Sequence, residues 1–219
     1  MNHLELLTFA RGSALNWALS IFVLGVVLRL FEIFSLGRKA DLAKARSGTP
    51  GSGWRTMFTR SMPAPGMLKR DSVTYIGGYV FHFGLFVAIF FLAAHIEFFR
   101  SMTGLVWPSL PTALVDALVV AAIVALVVVL AHRLNNRVKR MLSGFGDYLA
   151  WTVTLLPLLT GYLSYHHLLF EYTLMLALHL YSVELLLVLL PFTKLFHTFS
   201  LFVSRWYNGE IAARKGVAS

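Results

Sequence analysis

Five long apolar segments separated by polar loops constrain this chain more than any other feature. They cover residues 14–36, 74–99, 112–132, 147–166 and 173–197. A helix of about 20 residues crosses the roughly 30 Å hydrocarbon core of a bilayer. Helices are expected because lipid offers no partner to unpaired backbone N–H and C=O groups. The sequence therefore predicts an all-α, integral membrane bundle of five transmembrane helices that forms a single domain over residues 1–219.

The composition supports a membrane protein and narrows its chemistry. Hydrophobic residues make up 58% of the chain and charged residues 13%, which lies outside the range of soluble globular domains. No cysteine is present, so disulfides, iron–sulfur clusters and thiolate ligation of haem are excluded within this chain. The start, MNHLELLTFARGSALNW, lacks a basic n-region and an A-x-A site. We therefore expect the first span to be retained rather than cleaved as a signal peptide.

The distribution of basic residues predicts the orientation. Loop 37–73 holds eight Lys and Arg, loop 133–146 holds four, and the C-terminal tail holds three. Arg29 and Lys194 bring this side to 17, against Arg11 and Arg100 on the other. Because cytoplasmic loops carry the excess of Lys and Arg, the N-terminus is predicted outside and the C-terminus in the cytoplasm. Topology thus accounts for the basic pI without any binding to nucleic acid.

Four of the eight histidines fall within two of the apolar segments. His82 and His95 lie in the second span, and His179 and His197 in the fifth. Eighteen residues make five whole turns, so on one helix His179 and His197 would share a face about 27 Å apart. With the predicted orientation, depth pairs His82 with His197 near the cytoplasm and His95 with His179 near the outside. Single intramembrane histidines can be packing residues, but ionisable groups in lipid are costly, and this pattern predicts two bis-His sites.

The two bis-His sites favour haem b over other metal groups. Two axial histidines fill both open positions of the iron, which suits electron transfer rather than oxygen chemistry. No C-x-x-C-H motif is present, so covalent c-type attachment is excluded. Zinc is disfavoured because carboxylate or Cys ligands are missing at each level. We therefore predict two haems b, with His82 and His197 on the inner iron and His95 and His179 on the outer iron.

Polar residues near the outer helix ends are candidates for quinone and proton handling. His166 and His167 either cap a short loop or accept protons at a quinone pocket. Arg100 is a candidate partner for a haem propionate. Glu184, inside the fifth span and about 140° around the helix from His179, either pairs with a neighbouring helix or belongs to a proton path or quinone contact. Glu97 and Tyr165 complete the predicted outer pocket.

Several other polar residues and glycines carry simpler expectations. His132 is expected to be solvated and His3 to lie in a mobile terminus. Glu32 follows Arg29 by three residues, which predicts a local ion pair. The second span contains three glycines that permit close approach of a helix or a cofactor, and the fourth contains a proline that could kink it: Gly77, Gly78, Gly84 and Pro157.

Two motifs resemble the gamma subunit of respiratory nitrate reductase, the family of five-helix dihaem cytochrome b quinol oxidoreductases. FHFG at 81–84 is similar to the F-H-x-G of that family's second helix. LHLYSVELLLVLLPFTKLFHTFS at 178–200 is similar to its L-H-x17-H helix with an internal P-F-[ST]-[KR]-L. The resemblance implies that His82, His179 and His197 are haem ligands. The fourth ligand departs from the family pattern, since Leu92 occupies its position and His95 comes about one turn later.

Within this resemblance, relatives in sulfur metabolism are more similar to the chain than the nitrate reductase subunits are. The features that favour them are the second-span sequence GYVFHFGLFVAIFFLAAH and the acid in the fifth span. These relatives are membrane subunits of the dissimilatory sulfite reductase complex, of heterodisulfide-reductase-like complexes and of adenylylsulfate-reductase-linked electron carriers. The resemblance implies a multi-pass protein of a bacterial or archaeal cell (inner) membrane that works in a respiratory chain. It would be the quinone-reactive subunit of a multisubunit oxidoreductase, with the substrate site on a cytoplasmic iron–sulfur, flavin or molybdenum partner.

Two alternatives and the role of the inner loop stay open. A haem-free membrane anchor would use its histidines only for packing. A small proton-coupled transporter would use intramembrane His and Glu, although no inverted repeat is visible. Loop 37–73 is rich in Gly, Pro and Ser and is either a flexible basic connector or a docking surface for the cytoplasmic partner. We favour docking because a membrane electron carrier must exchange electrons with another protein.

Overall fold

A computed structural model describes residues 2–36, 42, 44–46, 52–64 and 66–217. These residues form α-helices, one π-helical turn, short 3₁₀ turns and loops, with no strand among them. The α-helices are α1 His3–Phe9, α2 Leu15–Ser35, α3 Ser52–Thr59, α4 Met67–Arg70, α5 Ser72–Phe91, α6 Ala93–Thr103, α7 Thr112–Asn135, α8 Arg137–Met141, α9 Phe145–Tyr165, α10 Tyr172–Leu189 and α11 His197–Arg214. The predicted all-α class is confirmed.

Four helical segments of the described chain are long and apolar enough to cross a membrane. They are His3–Ser35, Ser72–Phe91, Thr112–Asn135 and Tyr172–Phe192, and they correspond to the first, second, third and fifth predicted spans. The predicted fourth span is the 21-residue helix α9, which contains Pro157 and is not among those four. The structure thus shows a helical protein of membrane type, and the fifth crossing stays a prediction.

The N-terminal segment belongs to the first helix. A π-helical turn at Ala10–Ala14 joins α1 to α2, so the helix starts well before the predicted residue 14. The Asn2 side chain caps α1 by accepting a hydrogen bond of 2.8 Å from the Glu5 amide. His3 Nδ1 lies 2.7 Å from a carboxylate oxygen of Glu171. The expectation that His3 lies in a mobile terminus is therefore wrong, because capping and this contact order the start of the helix.

The second predicted span is interrupted. Helix α5 ends at Phe91, Leu92 has an extended backbone with φ −74° and ψ 128°, and α6 begins at the next residue. The loop after α6 satisfies two carbonyl groups at the break. Trp107 Nε1 donates to the Phe90 oxygen at 2.5 Å, and the Leu110 amide donates to the Phe91 oxygen at 3.1 Å.

The fifth predicted span is not one helix, and the prediction from five whole turns is wrong. Helix α10 ends at Leu189, and two 3₁₀ turns flank Thr193, whose backbone is extended. His197 is the first residue of α11. Pro191 explains the break because it lacks an N–H and its ring clashes with the preceding turn. It is fully buried opposite Gly25, where an added Cβ would lie 2.8 Å from the Pro191 Cβ.

Each long helix packs mainly on the next one in a row, and in the described chain α5 and α10 have no extensive contact with each other. Helix α5 packs on α7, α7 on α9, α9 on α10, and α10 on α1 and α2. A Cβ at Gly84 would collide with the Leu118 carbonyl oxygen of α7, and one at Gly77 would lie 2.5 Å from Val129. These two glycines therefore permit close helix approach as predicted, whereas nothing lies within 4 Å of a Cβ at Gly78.

The inner loop is partly helical. Helix α3 packs along α11, so residues 52–59 are not a flexible connector. Arg38 and Lys39 of the predicted basic loop, and residues 47–51 of its Gly/Pro/Ser-rich stretch, lie outside the described residues.

Candidate functional site

The four histidines of the second and fifth predicted spans lie in two pairs. His82 and His179 lie in helices that are long and apolar enough to cross a membrane, whereas His95 and His197 lie beyond the ends of those helices. The ring centroids of His82 and His197 are 6.1 Å apart, with an angle of 77° between the ring planes. Those of His95 and His179 are 6.2 Å apart, and their planes are 19° apart. These are the two pairs expected from depth. We call them the inner pair and the outer pair, following the predicted orientation.

The helix breaks place two of these histidines. His197 comes after the turns that follow Pro191, and its Nδ1 lies 2.8 Å from the Lys194 carbonyl oxygen. His95 comes after the break at Leu92, and its Nδ1 lies 2.6 Å from the Ala88 carbonyl oxygen, seven residues earlier. A regular helix would not bring residues seven apart into such contact. His95 lies about one turn later than the ligand position of the resembling family, and the break at Leu92 lets it still reach His179.

The hydrogen bonds at Nδ1 set the chemistry of the other ring nitrogen. In His82 as in His95 and His197, Nδ1 contacts a backbone carbonyl, here that of Gly78 at 2.7 Å. A carbonyl only accepts, so Nδ1 carries the proton and Nε2 keeps its lone pair. His179 Nδ1 lies 3.3 Å from the Thr160 hydroxyl. Backbone and hydroxyl contacts of this kind commonly orient histidines that bind a metal through the remaining nitrogen.

The spacing within each pair fits one metal atom between two imidazoles. A metal–imidazole bond of about 2.0 Å, with about 1.1 Å from the nitrogen to the ring centre, separates two opposed rings by about 6.2 Å. The observed separations are 6.1 and 6.2 Å. Among the described residues, no group of three or more His, Asp, Glu or Cys side chains could hold a metal ion. A metal held by either pair therefore needs its remaining ligands from a group that carries them.

The predicted outer pocket residues do not converge on one point. His166 Nε2 lies 3.1 Å from an Asp116 carboxylate oxygen, and its ring centroid is 4.5 Å from that of Tyr162. His167 has a left-handed backbone with φ 54°, and its ring stacks on Tyr172 at 4.7 Å. The two histidines thus have different partners. Asp116 was not predicted as a site residue. A lone acid in the most apolar span could have identified it, because ionisable side chains in such spans are costly and often functional.

Arg100 and Glu97 pair with each other on α6. The guanidinium donates to the two carboxylate oxygens at 2.8 and 2.5 Å, and both side chains are exposed. Tyr165 lies close to His166, with ring centroids 5.3 Å apart. The role of Arg100 towards a propionate stays a prediction.

Glu184 is a buried acid on α10. It is 7% exposed, and its Oε1 has no hydrogen-bond partner among the described residues. Helix α10 is regular between His179 and Glu184, so the two side chains leave it about 140° apart, as predicted. The predicted pairing of Glu184 with a polar group on a neighbouring helix is therefore not observed for Oε1 among the described residues.

The inner ends of α5 and α7 are joined by a polar cluster. Lys139 Nζ lies 2.6 Å and His132 Nε2 lies 3.1 Å from the two carboxylate oxygens of Asp71. Partial burial alone would raise the pKa of Asp71, but hydrogen bonds from Lys139 and Thr74 and the Lys139 charge lower it to about 2. The expectation that His132 is solvated is wrong, because it packs into this cluster. The expected ion pair of Arg29 with Glu32 is present at 2.6 Å.

Comparison with known proteins finds sequence similarity to a curated protein of Nitratidesulfovibrio vulgaris (strain Hildenborough), whose description reads only "Protein". The two are 33% identical over 142 residues, which cover 64% of this chain and 62% of the relative. The chain thus spans less than two thirds of that relative. No family model and no solved structure matches the chain.

Proposed function

We propose that this protein is a membrane cytochrome b that passes electrons between the quinone pool and a cytoplasmic redox partner. The observation that carries the proposal is the pair of two-histidine sites, each with rings about 6 Å apart. Three of the four rings have Nδ1 bonded to a carbonyl and Nε2 left for a metal. Haem b supplies the remaining four iron ligands itself and a reversible one-electron couple.

In this proposal the chain's own residues hold and orient the two haems. His82 and His197 would hold the inner haem, and His95 and His179 would hold the outer haem. The carbonyls of Gly78, Ala88 and Lys194 fix the tautomer of three of these rings, so that Nε2 needs no proton transfer before binding. A haem held by two histidines would supply electron transfer rather than oxygen activation.

We place the quinone near the outer pair, where quinol oxidation must also release protons. His166 is a candidate proton acceptor because its Nε2 lies 3.1 Å from an Asp116 carboxylate oxygen, so an imidazole and a carboxylate stand side by side near the outer pair. His167 and Glu184 are further candidates for proton handling, and Arg100 for binding a propionate. The same residues serve quinone reduction, so the direction of electron flow stays open.

The proposed topology has five crossings, with α9 as the fourth. Helix α9 has 21 residues, which at about 1.5 Å each can span the hydrocarbon core, and it packs between α7 and α10. The excess of basic residues supports an N-terminus outside and a C-terminus in the cytoplasm. The family resemblance supports the cell membrane of a bacterium or an archaeon. A single cysteine at Ser101 should react with an impermeant thiol reagent in intact cells, and one at Lys215 should not. The opposite labelling would reverse the orientation.

The partner is proposed from the resemblance of the two histidine motifs to nitrate reductase gamma subunits and their relatives in sulfur metabolism. It would be an iron–sulfur, flavin or molybdenum protein that carries the substrate site, with a sulfur-cycle enzyme ranked above nitrate reductase. Co-purification from mildly solubilised membranes identifies this subunit directly.

A reduced-minus-oxidised spectrum of the purified protein tests the proposal. A b-type spectrum with two haems per chain is the expected result. Colourless protein from haem-replete cells would contradict it and favour the haem-free anchor or the proton-coupled transporter. The buried carboxylate of Glu184 is the observation that favours the transporter. Proton uptake by vesicles, lost on Glu184→Gln, would then distinguish the transporter from the anchor.

A further inference from the structure

Helix α3 has two faces of opposite character. Gly53 and Thr56 are buried against α11, where a Cβ on Gly209 would lie 2.5 Å from the Thr56 hydroxyl oxygen. On the other side Trp54, Phe58 and Met62 are 60%, 72% and 72% exposed. These three residues, at spacings of four, form an apolar stripe that continues from α3 into the following turn.

The packing on α11 prevents α3 from turning this stripe inwards. The Gly53 amide donates to a Glu210 carboxylate oxygen at 2.8 Å, and the Ser52 hydroxyl donates to the Gly209 carbonyl at 3.1 Å. A Cβ at Gly53 would lie 2.7 Å from the Trp206 ring, so no larger side chain fits this face. The small-residue face is therefore committed to α11, and the apolar stripe points away from it.

Hydrogen bonds also place the stripe beside a membrane-type helix. The Tyr79 hydroxyl of α5 donates to the Ser61 carbonyl at 2.6 Å, and Arg205 of α11 donates to the Ser61 hydroxyl at 2.8 Å. Tyr79 lies about 10 Å along α5 from its first residue. The hydroxyl of Tyr79 thus ties the turn after α3 to the first half of α5, towards the end region of a membrane-type helix, where aromatic side chains concentrate in membrane proteins.

Exposed cations flank the apolar stripe. Arg55 and Arg60 lie on α3 and in the turn that follows, and Lys69 and Arg70 lie just before α5. An apolar face bordered by Lys and Arg is characteristic of helices that lie in the interface of a bilayer containing anionic lipid.

We propose that α3 is an interfacial helix that inserts Trp54, Phe58 and Met62 into the leaflet where α5 begins. Arg55 and Arg60 then contact the anionic headgroups of phospholipids. A lipid surface is favoured over a protein partner because Tyr79 holds the stripe at the level of a membrane-type helix. The proposal depends neither on haem nor on which side of the membrane is cytoplasmic. It also assigns this stripe to lipid, so a redox partner would dock elsewhere.

Single-cysteine labelling of the full-length protein tests the proposal, since the natural chain has no cysteine. Phe58→Cys is labelled with bimane and reconstituted in nanodiscs of phosphatidylcholine with or without phosphatidylglycerol. Val124→Cys, on the exposed face of α7, is the lipid reference, and Lys215→Cys is the aqueous reference. We expect lipid with a doxyl group near the headgroup to quench position 58 strongly. Aqueous iodide should quench it severalfold less than position 215.

The lipid charge and the arginines sharpen this test. Adding phosphatidylglycerol should lower iodide access at position 58, and Arg55→Gln with Arg60→Gln should abolish that change while leaving position 124 unaffected. Met62→Cys repeats the measurement on the same stripe if Phe58→Cys does not fold. Iodide access at both stripe positions equal to that at 215 would overturn the proposal. Protection that appears only after a soluble partner is added would also overturn it and assign the stripe to protein docking.

Discussion

The inner and outer histidine pairs have nearly the same ring separation but different surroundings. His82 and His197 of the inner pair are exposed, and their ring planes are almost perpendicular. His95 and His179 of the outer pair are partly buried and nearly parallel. The comparison indicates that the helix breaks set the distance between the two rings of a pair. The orientation and burial of the rings depend instead on which other helices pack against them.

Helix α9 contributes to the burial of His179 in the outer pair. His179 lies against Gly161, where a Cβ would be 2.9 Å from the imidazole Cε1. The Thr160 hydroxyl lies 3.3 Å from His179 Nδ1 and 3.0 Å from the Ser182 hydroxyl. No such hydroxyl contact is recorded for His82 or His197 in the described chain, where both Nδ1 atoms contact carbonyls of their own segments. The outer pair is thus embedded in interhelical packing, and the inner pair depends on local backbone.

The largest expected effect follows from the proposed function: replacing either histidine of a pair should remove the haem of that pair and leave the other haem in place. His82→Ala and His197→Ala should each remove the same spectral component, because each would remove one of the two residues proposed to hold the inner haem. His95→Ala and His179→Ala should remove the other component. Haem content and difference spectra of the purified variants measure this. If His82→Ala and His197→Ala abolish different components, the assignment of the pairs is wrong.

A methyl group at Gly161 should affect the outer pair alone. Gly161→Ala puts a Cβ within 2.9 Å of the His179 ring, and such overpacking costs about 1–3 kcal/mol. We expect a lower content of the outer haem and a lower thermal midpoint, with the inner component retained. Gly146→Ala is the matched control on α9, since nothing lies within 4 Å of its Cβ. Equal losses of both components in Gly161→Ala would contradict the separation of the sites.

Proton handling should distinguish His166 from His167. His166→Gln should slow quinol-driven haem reduction severalfold at unchanged haem content, and Asp116→Asn should reproduce this because it removes the partner of the ring. His167→Gln should have less effect, since its ring stacks on Tyr172 instead. Stopped-flow reduction by a quinol analogue measures the rates. A normal rate in the double variant His166→Gln/His167→Gln would move the quinone pocket towards the inner pair, near Lys69 and Arg70.

The ring orientations should give the two haems different electron paramagnetic resonance spectra. If each pair holds a haem iron, perpendicular imidazole planes would bring two iron d orbitals closer in energy than parallel planes would, and the g anisotropy would be larger. The inner pair, at 77°, should therefore give the more anisotropic low-spin signal and the outer pair, at 19°, the less anisotropic one. His82→Ala should remove the anisotropic signal. Two signals of low anisotropy in the oxidised protein would show that haem binding aligns the inner rings.

The smallest expected effect concerns the polar cluster at the inner ends of α5 and α7. The folded pKa of Asp71 is about 2, below its ordinary value of 3.8. The carboxylate therefore stabilises the fold above about pH 4, and this stabilisation is lost as the pH falls towards 2. Because Asp71 is partly exposed, we expect about 1 kcal/mol after allowance for solvent screening. Asp71→Asn should lower the thermal midpoint slightly at pH 7, and the difference from the natural protein should shrink as the pH falls towards 2 and vanish below it.

Much of the fold follows from composition and spacing. The apolar segments predict the four long helices because a run of that length and hydropathy has few other stable states. The fourth span is harder to assign, since α9 mixes apolar residues with Asp147, Pro157 and Gly161. Pro191 is visible in the sequence and a proline interrupts helices, so the break in the fifth span was predictable. The break at Leu92 has no such signal, because FFLAAH reads as a continuous helix.

The sequence by itself determined the helical membrane class and singled out the four histidines of the second and fifth apolar segments, because lipid demands apolar helices and makes ionisable side chains costly. It also determined the pairing by depth, which depends only on the direction of each span. The tertiary structure decided how His95 and His197 reach their partners, since each follows a backbone break whose geometry depends on distant loop and helix contacts. It also decided that His166 faces Asp116 and that α3 exposes its apolar stripe. Those outcomes depend on which helices become neighbours, and no local pattern encodes that.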